Sequence, residues 1–370
     1  MKNHLKINRV DLYKADLELL EPFRTSLAEI TTAYNIFVRI HTDQGIYGTG
    51  ESRPNPPVTG ESQATALACG RDMAKRLLHQ NPLDIETRMT DLDGLMGKNS
   101  ATKSAFDIAL YDLLGKAAGL PLYAVLGGPK RTVLTDNTVS LGDPDHMAET
   151  ARRYKDQGFT AIKIKLGTGR AEDLSRVNKI RTTVGPDVAL RLDANQGWDL
   201  TTAISTLSAM EPLNIEYCEQ PLAHWDWANI RRVRERTSIP IMADETLFDH
   251  HDAFKLAAMG CCDYFNIKLA KSGGIHTGLK INAIGEAAGI FCMTGCMTET
   301  RLCLTAAAHM VSARPNIRFA DLDGHLNMAV DPVIGGALYH AGEITLPDTP
   351  GHGADIDPDF LNRCACETIR

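Results

Sequence analysis

The sequence predicts a mixed α/β protein, a parallel strand–helix barrel preceded by an α+β unit. Five short apolar runs each stop at a charged residue: AIKIK (161–165), ALRLD (189–193), NIEYCE (214–219), IPIMAD (239–244) and YFNIK (264–268). Their end residues Lys165, Asp193, Glu219, Asp244 and Lys268 lie 28, 26, 25 and 24 positions apart. That is close to one strand-plus-helix unit, roughly 30 residues in barrels of about 250. A second observation is that the first 125 residues lack this alternation and read as strands followed by helices. The third is that the chain beyond 325 is rich in Gly and Pro and shows no final helical pattern, so it is expected to pack back on the N-terminal unit. The expected division is a capping unit at 1–128, a barrel at 129–325 and a returning segment at 326–370.

Within the first unit, NIFVRIH (35–41) alternates, Thr42-Asp43-Gln44-Gly45 is a turn, and GIYGTGE (45–51) runs back as a hairpin partner. PFRTS (22–26) and RPNPPVTGES (53–62) are polar, proline-bearing stretches, expected to be loops open to contact. Ala66, Cys69, Gly70, Met73 and Leu77 fall on one helix face, and Phe106, Ala109, Leu110, Leu113 and Ala117 repeat the spacing. Gly119 and Pro121 stop the second helix. VLTDNTVS (133–140) supplies the first barrel strand, IFCMTGCM (290–297) the seventh and IRFADLD (317–323) the eighth. Helical patterns such as Val177, Ile180, Arg181 and Val184, or Leu200, Ile204 and Leu207, lie between strands.

With 370 residues, 44% hydrophobic and 23% charged, the composition is that of an ordinary globular protein. A formal net charge of −7 argues against nucleic acid or an anionic membrane as partner. The nine cysteines include no C-x-x-C pair, which fits reduced thiols in a cytoplasm. MKNHLKINRV has no apolar signal core, and no run is long enough for a membrane span. The expectation is a cytoplasmic homo-oligomer acting on a small molecule.

Residues two apart on a strand share a face. Lys163 therefore accompanies Lys165, Arg191 accompanies Asp193, Asn266 accompanies Lys268, and Asp321 accompanies Asp323. Asp193, Glu219 and Asp244, from consecutive strand ends, would converge at the carboxyl mouth, where such barrels place their chemistry. Oxygen donors without His or Cys suit Mg²⁺ or Mn²⁺ better than zinc. Lysines at strand ends two and six would stand on opposite sides of that metal, so one amine could remove an α-proton and the other return it. The plainer readings are acids that cap the following helices and lysines that merely neutralise them. A Schiff-base lysine is a further alternative, but that chemistry has no need of three carboxylates. Asp321 and Asp323 fit either a turn at Asp323-Gly324 or a clamp for a cationic group.

KIK (163–165), LDANQGW (192–198), EQPL (219–222), ADET (243–246) and IKLAKSGG (267–274) resemble the enolase superfamily, in particular its muconate-lactonizing branch. SAFDIALYDLLGKAAGLPLYAVLGG (104–128) is similar to that branch's helix before the barrel. The resemblance implies a (β/α)7β modified TIM barrel with an α+β capping domain formed by the N-terminal segment and the C-terminal tail. It implies Asp193, Glu219 and Asp244 as ligands of Mg²⁺, with Lys165 and Lys268 as the acid/base pair, following the general superfamily pattern. Asp321-x-Asp323 resembles the signature by which dipeptide epimerases hold a free amino group, and GCMTETRL (295–302) is similar to their seventh-strand segment. Arg24 resembles the arginine that pairs with the glutamate side chain in Ala-Glu epimerases. Thr135, Lys163 and Met297 complete the implied substrate-binding set. The implied activity is inversion of the C-terminal residue of a small dipeptide such as L-Ala-L/D-Glu, in recycling of cell-wall peptides. Alternatives on the same fold are epimerisation of apolar dipeptides, cycloisomerisation, and o-succinylbenzoate synthesis. The last two act on substrates without an ammonium group. A non-catalytic metal-bound scaffold is the remaining alternative.

Overall fold

Antiparallel pairing organises the beginning of the chain. In the computed structural model, which describes residues 5–370, β1 (Ile7–Arg24), β2 (Glu29–Thr42) and β3 (Tyr47–Ser52) form a meander. The first four residues of the MKNHLKINRV stretch lie outside the described residues. Helices Gln63–Leu77 and Ser100–Ala118 pack on this sheet, and Ile85–Leu95 packs against both of them. Gly48 and Gly50 explain how closely Ser100–Ala118 approaches β3. A Cβ at either would stand 2.0 Å from Ala109 O or 1.9 Å from Ala105 O, so only glycine fits.

Eight parallel strands then follow in order: β4 (Asn137–Val139), β5 (Ala161–Lys165), β6 (Ala189–Asp193), β7 (Ile215–Glu219), β8 (Ile241–Ala243), β9 (Tyr264–Lys268), β10 (Phe291–Gly295) and β11 (Ile317–Asp321). Helical segments lie in each interval from Pro144–Asp156 to Arg301–Ala313. Directly after β11 comes a single 3₁₀ turn, Gly324–Asn327, and a short helix, Pro358–Arg363, forms only near the end of the tail. The architecture is thus a (β/α)7β barrel. Side chains fill its interior: Tyr217, Met242 and Met293 are buried together, and the Arg191 guanidinium lies over Tyr217 and Phe319 while bonding Asp136 at 2.8 Å. The tail returns as β12 (Ala365–Ile369), antiparallel to β1, which extends the cap sheet.

Four local readings of the sequence need correction. Within RPNPPVTGES, expected to be a loop, Pro56–Thr59 forms a single helical turn that ends at Gly60 in the left-handed region. PFRTS is not a loop, because β1 runs on to Arg24 and pairs it with Glu29. Pro22, which cannot donate to a ladder, falls in the register shift between Glu18 and Phe23. The result is a long two-stranded arm reaching over the barrel mouth, with its turn at Thr25–Ala28. The stretch 133–140 divides: Val133–Leu134 pairs with Glu343–Thr345, and only Asn137–Val139 joins the barrel. The helix Ile85–Leu95, unassigned from sequence, buries Ile85, Met89 and Leu92.

Buried acids of the cap secure it to the barrel by capping barrel helices. Glu51 accepts hydrogen bonds from Thr300 N–H (2.8 Å), Thr300 Oγ1–H (2.6 Å) and Cys303 N–H (3.1 Å) at the start of Arg301–Ala313. Asp107 accepts from Ile275 N–H and His276 N–H at the start of Ile275–Ala288. Each places a carboxylate at the positive end of a helix. His309 adds a neutral link: its Nδ1 accepts from Tyr123 N–H (3.1 Å) and its Nε2–H donates to His352 O (3.2 Å). Among the described residues, no helix is long and apolar enough to cross a membrane.

Burial pushes His309 down from 6.5 to about 3. Its contribution to stability is therefore complete above about pH 6.5 and is lost as pH falls towards 3. Urea unfolding with chelator at pH 7 and pH 5 should show about 2 kcal/mol more loss in wild type than in His309→Gln, at 1.36 kcal/mol per pKa unit. Equal losses in the two proteins would contradict this assignment.

Candidate active site

Strand register builds the site. Lys165, Asp193 and Glu219 are lateral neighbours across β5, β6 and β7, and Lys268, Gly295 and Asp321 are neighbours across β9, β10 and β11. Asp244 follows directly on β8. The carboxylates of Asp193, Glu219 and Asp244 each offer an oxygen within 4.8 Å of the other two, and all three are buried. Lysines surround them. Lys165 Nζ lies 2.6 Å from Asp193 Oδ2, and Lys268 Nζ lies 2.8 Å from Asp244 Oδ2. Lys163 Nζ reaches Asp321 (2.7 Å), Glu219 (2.8 Å) and Asp193 (3.1 Å). The two flanking lysines thus hold opposite ends of a carboxylate row whose middle member is Glu219.

Residues given no role by the sequence hold this row in shape. Lys271, fully buried, donates to the carbonyls of Asp244 (2.5 Å) and Leu247 (3.0 Å), and its Nζ lies 2.5 Å from Asp244 Oδ1. Asn266 Nδ2–H donates to Glu219 Oε1 at 2.7 Å. Gln220 Oε1 accepts from the backbone N–H of Asp244 (3.0 Å) and of Thr246 (3.1 Å), fixing the turn that presents Asp244. Gln220, Asn195 and Gln196 all take positive φ at 36°, 40° and 69°, strained conformations of the kind stored at functional sites. At Gly295 a Cβ would stand 2.6 Å from Asn266 Oδ1 and 3.1 Å from Lys268 Cε. The glycine therefore leaves the space those side chains occupy. The signal for Lys271 was present in IKLAKSGG, three residues after Lys268, but nothing in the spacing said that it turns inward.

Charge in this mouth is unbalanced in one direction. Asp193, Glu219, Asp244, Glu245, Asp321 and Asp323 meet Lys163, Lys165, Lys268 and Lys271. Counted with every group ionised, six carboxylates against four ammonium groups leave an excess of two negative charges, the amount one divalent cation would neutralise; without the cation, Glu219 relieves part of that excess by keeping its proton. Burial and the neighbouring Asp193 push Glu219 up to about 8. Asp244 feels the same burial, but Lys268 and Lys271 outweigh it and hold the acid well below the usual carboxylate range. Glu219 Oε2 and Asp244 Oδ1 are enclosed without a well-aligned hydrogen bond, although Lys163 and Lys271 stand at ion-pair distance. Buried oxygens poorly served by hydrogen bonds, with no His or Cys among the three carboxylates, fit a hard cation such as Mg²⁺ or Mn²⁺.

At the eighth strand, burial opposes ionisation of Asp321, yet Lys163, Lys268 and Lys165 hold it down to about 2. Burial and Asp321 push Asp323 up to about 6. Asp323 Oδ2 accepts from Thr138 N–H at 2.7 Å. A cavity of about 80 Å³ touches Lys165, Lys268, Asp244, Asp321, Asp323 and Met297. Its apolar wall comes from the arm and the short helix Pro56–Thr59: Phe23, Leu27, Ile30, Pro57 and Val58.

Two expected contacts are absent from this wall. Neighbouring residues on a strand point to opposite faces. Phe23 faces inward with Lys165 Nζ 5.8 Å from its ring centroid, so Arg24 points away, 53% exposed, and pairs with Glu29 at 2.6 Å. Thr135 does not line the cavity either, because its hydroxyl accepts from Leu322 N–H at 2.8 Å and helps close β11 onto β4.

Comparison with known proteins agrees with this architecture. Residues 9–127 match the family model for the mandelate racemase / muconate lactonizing enzyme N-terminal domain, and 146–360 match the enolase C-terminal domain-like model. The D-Ala-D/L-Ala epimerase of Cytophaga hutchinsonii is 43% identical over 96% of this chain and 97% of its own. The L-Ala-D/L-Glu epimerase of Bacillus subtilis is 40% identical over 94% and 96%. Among solved structures, the Cytophaga hutchinsonii dipeptide epimerase complexed with Mg and D-Ala-L-Val superposes with a TM-score of 0.97 at 42% identity, covering 99% of this chain and 100% of that one. The Enterococcus faecalis dipeptide epimerase complexed with Mg and L-Leu-L-Tyr gives 0.93 at 41% identity, covering 95% and 99%. With both domain models matched in order and relatives this similar along almost their whole length, the chain belongs to the mandelate racemase / muconate lactonizing enzyme family of the enolase superfamily.

Proposed function

We propose that this chain is a dipeptide epimerase that inverts the α-carbon of the C-terminal residue of a small dipeptide such as L-Ala-L/D-Glu. The observation that carries this reading is the symmetry of Lys165 and Lys268 about the carboxylate row. They hold its two ends, on strands two and six, and both line one cavity. One amine, neutral at the start, takes the α-proton while the opposite ammonium gives its proton to the other face of the carbon. Atoms and charge balance within the pair, and no further reactant is consumed. Asp193, Glu219 and Asp244 would hold Mg²⁺, and their oxygen-only set suits Mn²⁺ as well. The bound ion would supply positive charge beside the substrate carboxylate, the kind of electrostatic stabilisation an enediolate needs.

Asp321 and Asp323 would receive the free ammonium of the dipeptide, with Lys163 fixing Asp321 at 2.7 Å. This pair disfavours the cycloisomerase and o-succinylbenzoate synthase readings, whose substrates have no ammonium to place there. In this scheme the cap, residues 1–128, screens the site, the barrel at 129–325 carries the acids and amines, and 326–370 ties the two together. The free thiols of all nine cysteines support a reducing, cytoplasmic setting.

A second reading concerns the inverted residue. The wall of Phe23, Leu27, Ile30, Pro57 and Val58, with Arg24 turned outward onto Glu29, favours an apolar C-terminal residue over glutamate.

Lys165→Ala and Lys268→Ala should each lower epimerisation by about 10²–10⁴-fold, the usual contribution of one acid–base group. Each variant should still exchange the α-hydrogen of the one epimer that faces its remaining lysine, read by NMR in D₂O. Wild-type epimerisation in either variant would refute the two-amine scheme. Arg24→Leu separates the two readings of the substrate. An unchanged ratio of kcat/KM for Ala-Glu and Ala-Leu is expected if the arginine stays outside the cavity, and a tenfold or larger fall for Ala-Glu alone would return it to the site.

A further inference from the structure

The catalytic cavity is not the largest space at the barrel mouth. It adjoins a chamber of about 710 Å³, and the two share Phe23, Thr138, Met297, Thr298 and Asp323. Neither Lys165 nor Lys268 lines the chamber, so it begins at Asp323 and leads away from the amines. Tyr154, Phe159 and Tyr339 give it aromatic walls, with the first two rings tilted together at 6.1 Å. Leu141 and Leu326 add aliphatic surface, while Glu21, Arg24, Asp143, His146 and Arg153, which also line it, are exposed and solvated at its rim. Behind these walls the hydroxyl of Tyr339 is enclosed and has no hydrogen-bond partner.

We propose that this chamber receives the side chain of the dipeptide's N-terminal residue, and that the chain selects a large apolar or aromatic residue at that position. The inference rests on the reading of Asp321 and Asp323 as the ammonium clamp and names the substrate class of that site. The side chain of an N-terminal residue begins two bonds from its ammonium nitrogen, about 2.5 Å away from standard bond lengths. An ammonium on Asp323 therefore commits that side chain to the neighbourhood of the chamber. An alanine methyl would leave almost all of the space to water. Leucine, phenylalanine or tyrosine would cover the aromatic walls. One methylene in an apolar pocket discriminates by roughly 10–200-fold, so several of them should dominate the choice.

The test is kcat/KM, by α-hydrogen exchange in D₂O, for Ala-Ala, Leu-Ala, Phe-Ala and Tyr-Ala with the magnesium-loaded protein. The ratio of Leu-Ala or Phe-Ala to Ala-Ala should exceed ten. Thr150→Phe, from the helix Pro144–Asp156, and Leu141→Trp, from the loop before it, fill the chamber from two different elements. Each should lower that ratio at least tenfold, and two variants guard against one failing to fold. Turnover of all four dipeptides with a flat or falling series would overturn the chamber's role while leaving the epimerase reading intact. A ratio untouched by both variants would overturn it too. No exchange on any dipeptide would instead overturn the epimerase reading itself, and this inference with it.

Discussion

Six carboxylates and four ammonium groups crowded into a buried barrel mouth form the constraint on which the rest of this structure depends. Bringing one such charge out of water costs several kcal/mol unless it is paired. A parallel barrel solves the problem geometrically, since six of its eight strand ends deliver one or two charges to the same level. Lys165, Asp193 and Glu219 sit side by side because their strands pair in register, and the same holds for Lys268 and Asp321 across Gly295. A slip of one residue in any of these strands would turn its charge to the opposite face. The buried hydrophobic residues of β5 to β11 therefore do more than fill space, because they pin the register that keeps the charges paired.

The cap answers a related need. Charges at a mouth open to bulk water would be screened and their mutual influence weakened. The arm formed by β1 and β2 lays Phe23 beside Lys165, and Ser26 Oγ–H donates to Asn195 O at 2.8 Å, so the arm is anchored on the turn after the third strand. At the opposite edge, Asn35 Nδ2–H donates to Thr298 O at 3.1 Å. Because Glu51 and Asp107 cap barrel helices, the cap cannot move without uncovering buried carboxylates. The apolar wall over the amines is thus held in place by acids well outside the site.

Much of the barrel was legible in the sequence because its strands are buried on both faces. They read as short apolar runs, and the charged residue closing each run marked the strand end at Lys165, Asp193, Glu219 and Lys268. Family resemblance added roles that spacing alone left open, above all for Asp321 and Asp323. What could not be read depended on partners distant in the chain. The stretch 133–140 looks like one strand, yet its first residues pair with Glu343–Thr345, more than two hundred positions away. Pro22 and Arg24 look like loop residues until the partner strand Glu29–Thr42 absorbs them around a bulge. The facing of Arg24 then follows from its neighbour Phe23, and a motif match cannot report a choice of face. Lys271 was unreadable for a similar reason, since its inward turn is set by the carbonyls of Asp244 and Leu247 in the turn after β8.

The central claim is that the negative excess at the mouth is matched by one divalent cation on Asp193, Glu219 and Asp244. Equilibrium binding of Mg²⁺ to metal-free protein tests it most directly, with Glu219→Gln measured alongside. One ion per chain, bound at least tenfold more weakly by the variant, is the result this account predicts. Indistinguishable binding by the two proteins, or none by either, would contradict it.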